Sequence, residues 1–188
     1  MNPTPEPLPD VAARELHTWT PPDPDQRLLR DAYLDHLREH ADGVWRSCRS
    51  GHLTASAIVV DPPRERVLLT LHPTVGRWLQ TGGHCEPGDV SLADAALREA
   101  TEESGLPGLR LEPVILRLDR HEVRCRAADG GSVALDHLDV QYLAIAESVT
   151  EERRSAESDD LRWWPWEAFP ADPSVRRLVA AARAHLGR

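Results

Sequence analysis

The stretch Ser91–Leu106, SLADAALREATEESGL, constrains this chain more than any other. Ser91 with Asp94 three residues later makes a capping-box-like start, in which side chains satisfy the orphan N–H groups of a first helical turn. Gly105 suits the residue just past a helix end, and Pro107 blocks continuation. The spacing therefore predicts a helix over roughly 92–104. Glu102 and Glu103 stand three and four residues beyond Glu99, so all three carboxylates share one helix face.

Three like charges on one face repel, and nothing structural requires them. A solvated acidic surface accounts for such a triplet taken alone. A hard divalent cation accounts for it differently, because Mg²⁺ prefers carboxylates, retained waters and phosphate oxygens. The preceding loop, Thr81-Gly82-Gly83-His84-Cys85-Glu86-Pro87-Gly88-Asp89, favours the second reading. Its glycines let backbone approach a ligand closely, and it runs into a helix N-terminus, which favours anions.

Together, Gly82–Leu106 resembles the signature of the Nudix family. That signature is Gly, five residues, Glu, seven residues, then Arg-Glu-apolar-x-Glu-Glu-x-Gly-apolar. Arg98-Glu99-Ala100-Thr101-Glu102-Glu103-Ser104-Gly105-Leu106 matches the second half throughout. Gly83–Asp89 resembles the first half with two departures. Asp89 stands in place of Glu, and eight residues rather than seven separate it from Arg98. The extra residue is placed at Asp89-Val90, ahead of the Ser91 cap, where a bulge leaves the helix face intact.

The resemblance implies an α/β/α sandwich around a mixed β-sheet, with added N-terminal and C-terminal helices. It implies Mg²⁺ or Mn²⁺ held by Glu99, Glu102 and Glu103, with the Gly83 carbonyl. Arg98 would hold a loop carboxylate, either Asp89 or Glu86. The reaction implied is hydrolysis of a diphosphate linkage in a nucleoside diphosphate joined to another group, with Arg98 and the three glutamates as its catalytic set. The general base stays open among Glu99, Glu86, Glu147, Glu151 and Glu157. The alternatives are a catalytically silent nucleotide-sensing module and an isoprenoid diphosphate isomerase. The intact glutamate trio argues against the first, and the close match to the hydrolase signature argues against the second.

Composition narrows the partners. The chain has 31 acidic and 22 basic residues, for a net charge of -9, which disfavours nucleic acid and anionic membranes. A small diphosphate substrate is the expected partner, and a homodimer is compatible with it. All the basic side chains are Arg, as codon bias in a GC-rich genome would produce, which excludes Schiff-base or P-loop lysine chemistry. Cys48, Cys85 and Cys125 lack metal-type spacing and read as free thiols of a reducing cytoplasm. MNPTPEPLPD has neither the basic nor the apolar segment of a secretory signal.

Elsewhere the readings are coarser. Residues 1–24, rich in Pro, are expected to be extended or disordered, with a single domain over 25–188. A helix is expected from Asp25 to about Asp42-Gly43. Strands are expected over Thr54–Asp61, Arg66–Leu71, Pro113–Leu118 and Leu138–Ala146, with a loop at Asp129-Gly130-Gly131 and a closing helix over Ser174–Leu186. His137 and Asp139 alternate on a strand, so they share a face. With His121 and Glu86 they are candidate substrate-binding residues, for phosphate or ribose, and His137 and Asp139 could instead bind a further metal, since His is a common metal ligand. His52 and His84 carry weaker signals. Trp163, Trp164 and Trp166 read as core under the last helix in preference to a base-stacking platform.

Overall fold

The computed structural model describes residues 6–73, 75–126, 132–148, 160–170 and 172–187. The first helix, α1 (Leu8–Thr18), corrects the expectation of a disordered leader. Its prolines are punctuation. Pro7 is the N-cap and Pro9 falls in the first turn, where a missing N–H costs nothing. Leu8, Val11, Ala12 and Leu16 are buried. Each Leu or Val so buried contributes about 1.5–3 kcal/mol, enough to order a short helix against the body. Asp23 caps α2 (Pro24–Glu39) by accepting the Gln26 N–H at 2.8 Å, with Pro24 in its first turn.

The described strands are β1 (His52–Val60), β2 (Arg66–His72), β3 (Arg77–Leu79), β4 (Thr81–His84), β5 (Leu109–Arg126), β6 (Ser132–Ala146) and β7 (Asp160–Pro165). Two further helices are α3 (Leu92–Ser104) and α4 (Pro173–His185). The strands form one mixed sheet with the path β3-β2-β1-β6-β5. β1 runs parallel to β6, and the other pairs are antiparallel. Opposite β6, β1 gives its edge to β4 over Thr54–Ala57 and then to β2 at Val59 and Val60. The sheet therefore parts around Ile58, and among the described residues β4 pairs only with β1.

Alternation along β1 builds two cores. Leu53, Ala55, Ala57 and Val59 pack with α1, Tyr33 of α2, and α3. Ile58 and Val60 pack with Val175, Leu178, Val179 and Ala182 of α4. The result is the expected three-layer sandwich. Strand β7, which pairs with β2, was read from sequence only as an aromatic stretch. Residues 129–131 lie outside the described residues. Among the described residues no helix is long and apolar enough to cross a membrane.

Candidate active site

Helix α3 is set as its sequence dictates. The Ser91 hydroxyl accepts the Asp94 N–H at 2.9 Å, and Gly105 takes the left-handed conformation at φ 62°. Between these caps the helix presents Glu99 and Glu103 to β4. The Gly82 N–H donates to Glu103 Oε2 at 3.2 Å. The Glu99 carboxylate lies so close to Gly83 that a Cβ there would sit 2.7 Å from it. Glu102 projects outward, with its side chain 62% exposed. Two carboxylates thus meet a glycine edge, and the third stands at the rim.

Arg98 ties this face to the loop. Its Nε and Nη2 donate to Asp89 Oδ1 and Oδ2 at 2.9 and 3.0 Å, a two-pronged pair. Nη2 also donates to the His84 carbonyl at 2.9 Å, and Nη1 to Glu99 Oε1 at 3.0 Å. The Asp89 bonds raise the Arg98 pKa further, so the charge is permanent. The loop partner of Arg98 is therefore Asp89. Glu86 is exposed and gives only its backbone N–H, to Asp89 Oδ2 at 2.7 Å. Val90, 65% exposed, carries the extra residue ahead of an unbroken helix. Glu147 is exposed and its carboxylate lies beside Gly108, whereas Glu151 and Glu157 lie outside the described residues.

On the opposite face of β4, pairing register gathers histidines. His52 pairs with His137, and His137 with His121, across β1, β6 and β5. His84 joins them through its pairing with Thr54. Ring centroids lie 5.0 Å apart for His52–His84, 4.9 Å for His52–His137, 5.2 Å for His84–His137 and 5.6 Å for His121–His137. Burial and mutual repulsion push His84 down to about 4 and His137 to about 3. His52 is lowered chiefly by burial. The Cys48 main chain softens that shift without meeting hydrogen-bond geometry. His121 is exposed, and its Nδ1 lies 3.2 Å from Asp119 Oδ2, a contact that raises its pKa.

Asp139 shares this face, as expected. It is 3% exposed, and its carboxylate accepts from Thr54 Oγ1 at 3.0 Å, Ser56 Oγ at 2.7 Å and Gln141 Nε2 at 2.9 Å. A carboxylate so enclosed braces β1 against β6. Nothing local in the sequence marks His52 and His84 as partners of His137. Only the register of three strands brings them together.

The tryptophans divide. Trp166 is buried in the core beneath α4, with its Nε1–H donating to the Arg64 carbonyl at 2.6 Å. Trp78 and Trp164 meet edge to face at 5.3 Å, with the Arg162 guanidinium over both rings. Cys48 and Cys85 are buried free thiols, and burial pushes Cys85 up to about 12, so it is inert at neutral pH.

The molecule is thus a mixed-sheet sandwich whose capped helix sets carboxylates against a glycine edge. Residues 51–182 match the family model for the NUDIX domain, and the chain belongs to the Nudix family. Family and intact carboxylate helix together make it a Nudix pyrophosphohydrolase. No curated protein sequence matches it significantly. Among solved structures, it resembles a Nudix-family hydrolase from Clostridium perfringens at 24% identity and TM-score 0.51, covering 73% of this chain and 99% of that one. A C. elegans Ap4A hydrolase complex aligns at 19% identity and TM-score 0.55, over 72% and 97%. The NUDIX domain of Shewanella oneidensis NrtR, complexed with ADP ribose, aligns at 24% and TM-score 0.51, over 75% and 92%. At these identities the likeness is one of fold.

Proposed function

We propose that this chain is a divalent-metal-dependent hydrolase of a diphosphate linkage, acting on a nucleoside diphosphate joined to another group. The observation that carries the reading is the convergence of Glu99 and Glu103 on Gly82 and Gly83, with Arg98 fixed by Asp89. Oxygen donors of this kind fit Mg²⁺ or Mn²⁺. Gly83 leaves beside Glu99 the space a Cβ would fill. Glu99, Glu102, Glu103 and the Gly83 carbonyl would hold the ion. When bound, it supplies charge neutralisation for the diphosphate and a more acidic water.

The chain's own residues do the positioning. Arg98 holds Glu99 from one side while Asp89 holds Arg98, so the carboxylate is preorganised. Glu103 is anchored by the Gly82 N–H on the edge strand. Glu102, paired with Arg98 at 3.4 Å on the exposed rim, faces the solvent from which a ligand arrives. Among the relatives, printed names refer to Ap4A and ADP ribose, which supports a nucleotide-derived substrate here. The cytoplasm is the compartment that fits two buried free thiols.

The test is a panel of ADP-ribose-like sugars, dinucleoside polyphosphates and nucleoside triphosphates with Mg²⁺ or Mn²⁺, read by release of phosphate or nucleotide. One class should turn over and stop with chelator. Glu103→Gln should stay folded and lose at least 100-fold in kcat, the loss expected when a group acting on the transition state is removed. Turnover indifferent to chelator, or a fully active Glu103→Gln, would refute the metal mechanism.

A further inference from the structure

We propose that His52, His84 and His137 form a second metal site, separate from the carboxylate helix, that takes one zinc-type transition-metal ion. The ligand atoms of the three side chains lie within 4.8 Å of one another. They come from three neighbouring strands, β1, β4 and β6, so the sheet itself holds them together. His52 is fully buried, and neither of its ring nitrogens makes a hydrogen bond among the described residues. Nε2 of His84 and Nε2 of His137 are buried in the same condition. Each orphaned buried polar atom costs about 1–3 kcal/mol. One ring nitrogen from each of three such histidines converging within 4.8 Å calls for a shared electrophile.

The donor set selects the ion. Imidazole suits zinc, copper, iron and nickel, whereas Mg²⁺ and Mn²⁺ go to oxygen. Three histidines leave one position of a tetrahedron open. Zn–N bonds of about 2.0–2.1 Å require nitrogens roughly 3.3 Å apart, so the rings close by about 1.5 Å at most. Ring rotation on fixed strands supplies that. His121 packs edge to face on His137 at 5.6 Å, with its own Nδ1 on Asp119, and so limits how the His137 ring can turn. The two sites use opposite faces of β4. Gly83 faces Glu99, and the next side chain, His84, faces the other histidines.

The experiment uses tag-free full-length protein stripped with chelator and kept in saturating Mg²⁺. Zn²⁺ is titrated by calorimetry, Co²⁺ is followed by visible absorption, and the zinc form is examined by X-ray absorption. The expected result is one equivalent of Zn²⁺, tetrahedral Co²⁺ bands and a shell of three nitrogens. The double variant His84→Gln with His137→Gln should bind at least 100-fold more weakly while keeping its circular dichroism. Three results would each overturn the site. One is no Zn²⁺ binding tighter than millimolar, and another is unchanged affinity in a folded double variant. The third is a thiolate charge-transfer band, which would move the ion to the group formed by His40, Asp42 and Cys48. If the double variant fails to fold, the nitrogen count on wild-type protein still decides.

Discussion

Asp89→Ala tests the clamp on which the carboxylate geometry depends. The substitution removes both oxygens that receive Arg98, at 2.9 and 3.0 Å, and the acceptor of the Glu86 N–H at 2.7 Å. The Asp89 side chain is 3% exposed and that of Arg98 21%, so the pair is largely screened from water. Removing one partner of a buried ion pair costs about 3–5 kcal/mol. Arg98 keeps Glu99 and the His84 carbonyl, and it reaches some solvent. The cost is therefore reduced to about 2–3 kcal/mol. In a chain of this length that lowers Tm by about 4–12 °C. Asp89→Asn keeps the shape and one acceptor oxygen and should lose about half as much.

The functional consequence is separable from the thermal one. Without Asp89, Arg98 turns its charge towards Glu99 and Glu102, with which it already pairs at 3.0 and 3.4 Å. Those carboxylates then hold a cation less well. The Mg²⁺ concentration for half-maximal turnover should rise at a temperature where the variant remains folded. Differential scanning fluorimetry and a Mg²⁺ titration of activity read the two effects. An Asp89→Ala protein that melts with wild type and keeps its Mg²⁺ dependence would show that the clamp does not organise the site.

Two further predictions follow from the same contacts. Gly83→Ala places a methyl 2.7 Å from the Glu99 carboxylate, so it should weaken Mn²⁺ binding about tenfold or more with the fold retained, read by Mn²⁺ electron paramagnetic resonance; unchanged binding would remove Gly83 from the site. Glu15 carries a pKa raised by burial, opposed by the Leu92 backbone and Arg14. Its folded form holds a proton that the unfolded chain releases above the ordinary 4.5, so its contribution to stability is present below that pH and lost as pH rises through the raised value. Glu15→Gln should therefore raise Tm at pH 7, and the gain should vanish near pH 4; equal shifts at both would contradict the burial argument.

What the sequence made legible follows from the range of the forces involved. Caps and helix limits are local, so Ser91, Gly105 and Pro107 set α3 to the residue. The glutamate face follows from helical period alone. The Pro-rich leader misleads because prolines at first turns look like prolines in a coil until Leu8 and Leu16 find a core. The histidine group was hidden because it rests on which residue of one strand lies opposite which residue of another. His52, His84, His121 and His137 are scattered over 86 positions (121 and 137 included), and only the β1–β4, β1–β6 and β5–β6 registers unite them. Asp139 is the reverse case. Alternation gave its face, but not the four side chains, Thr54, Ser56, Gln80 and Gln141, that donate to it.

The departure from the family signature has a physical resolution. An added residue inside the helix ahead of Arg98 would turn everything beyond it by about 100°, carrying Glu99, Glu102 and Glu103 together off the face that meets β4. Here the addition precedes Ser91, whose hydroxyl restarts the helix at a fixed phase. Val90 bulges into solvent, 65% exposed, and its N–H still finds an acceptor in Asp94 at 3.2 Å. The aspartate side chain is one methylene shorter than the glutamate it replaces, and it is joined to the helix by a loop one residue longer. A shorter arm on a longer tether reaches the same guanidinium with both oxygens. Helix phase and clamp are therefore set independently, the first by the cap and the second by loop length. That independence is why the carboxylate face survives a change in spacing that a motif of fixed intervals would count as a mismatch.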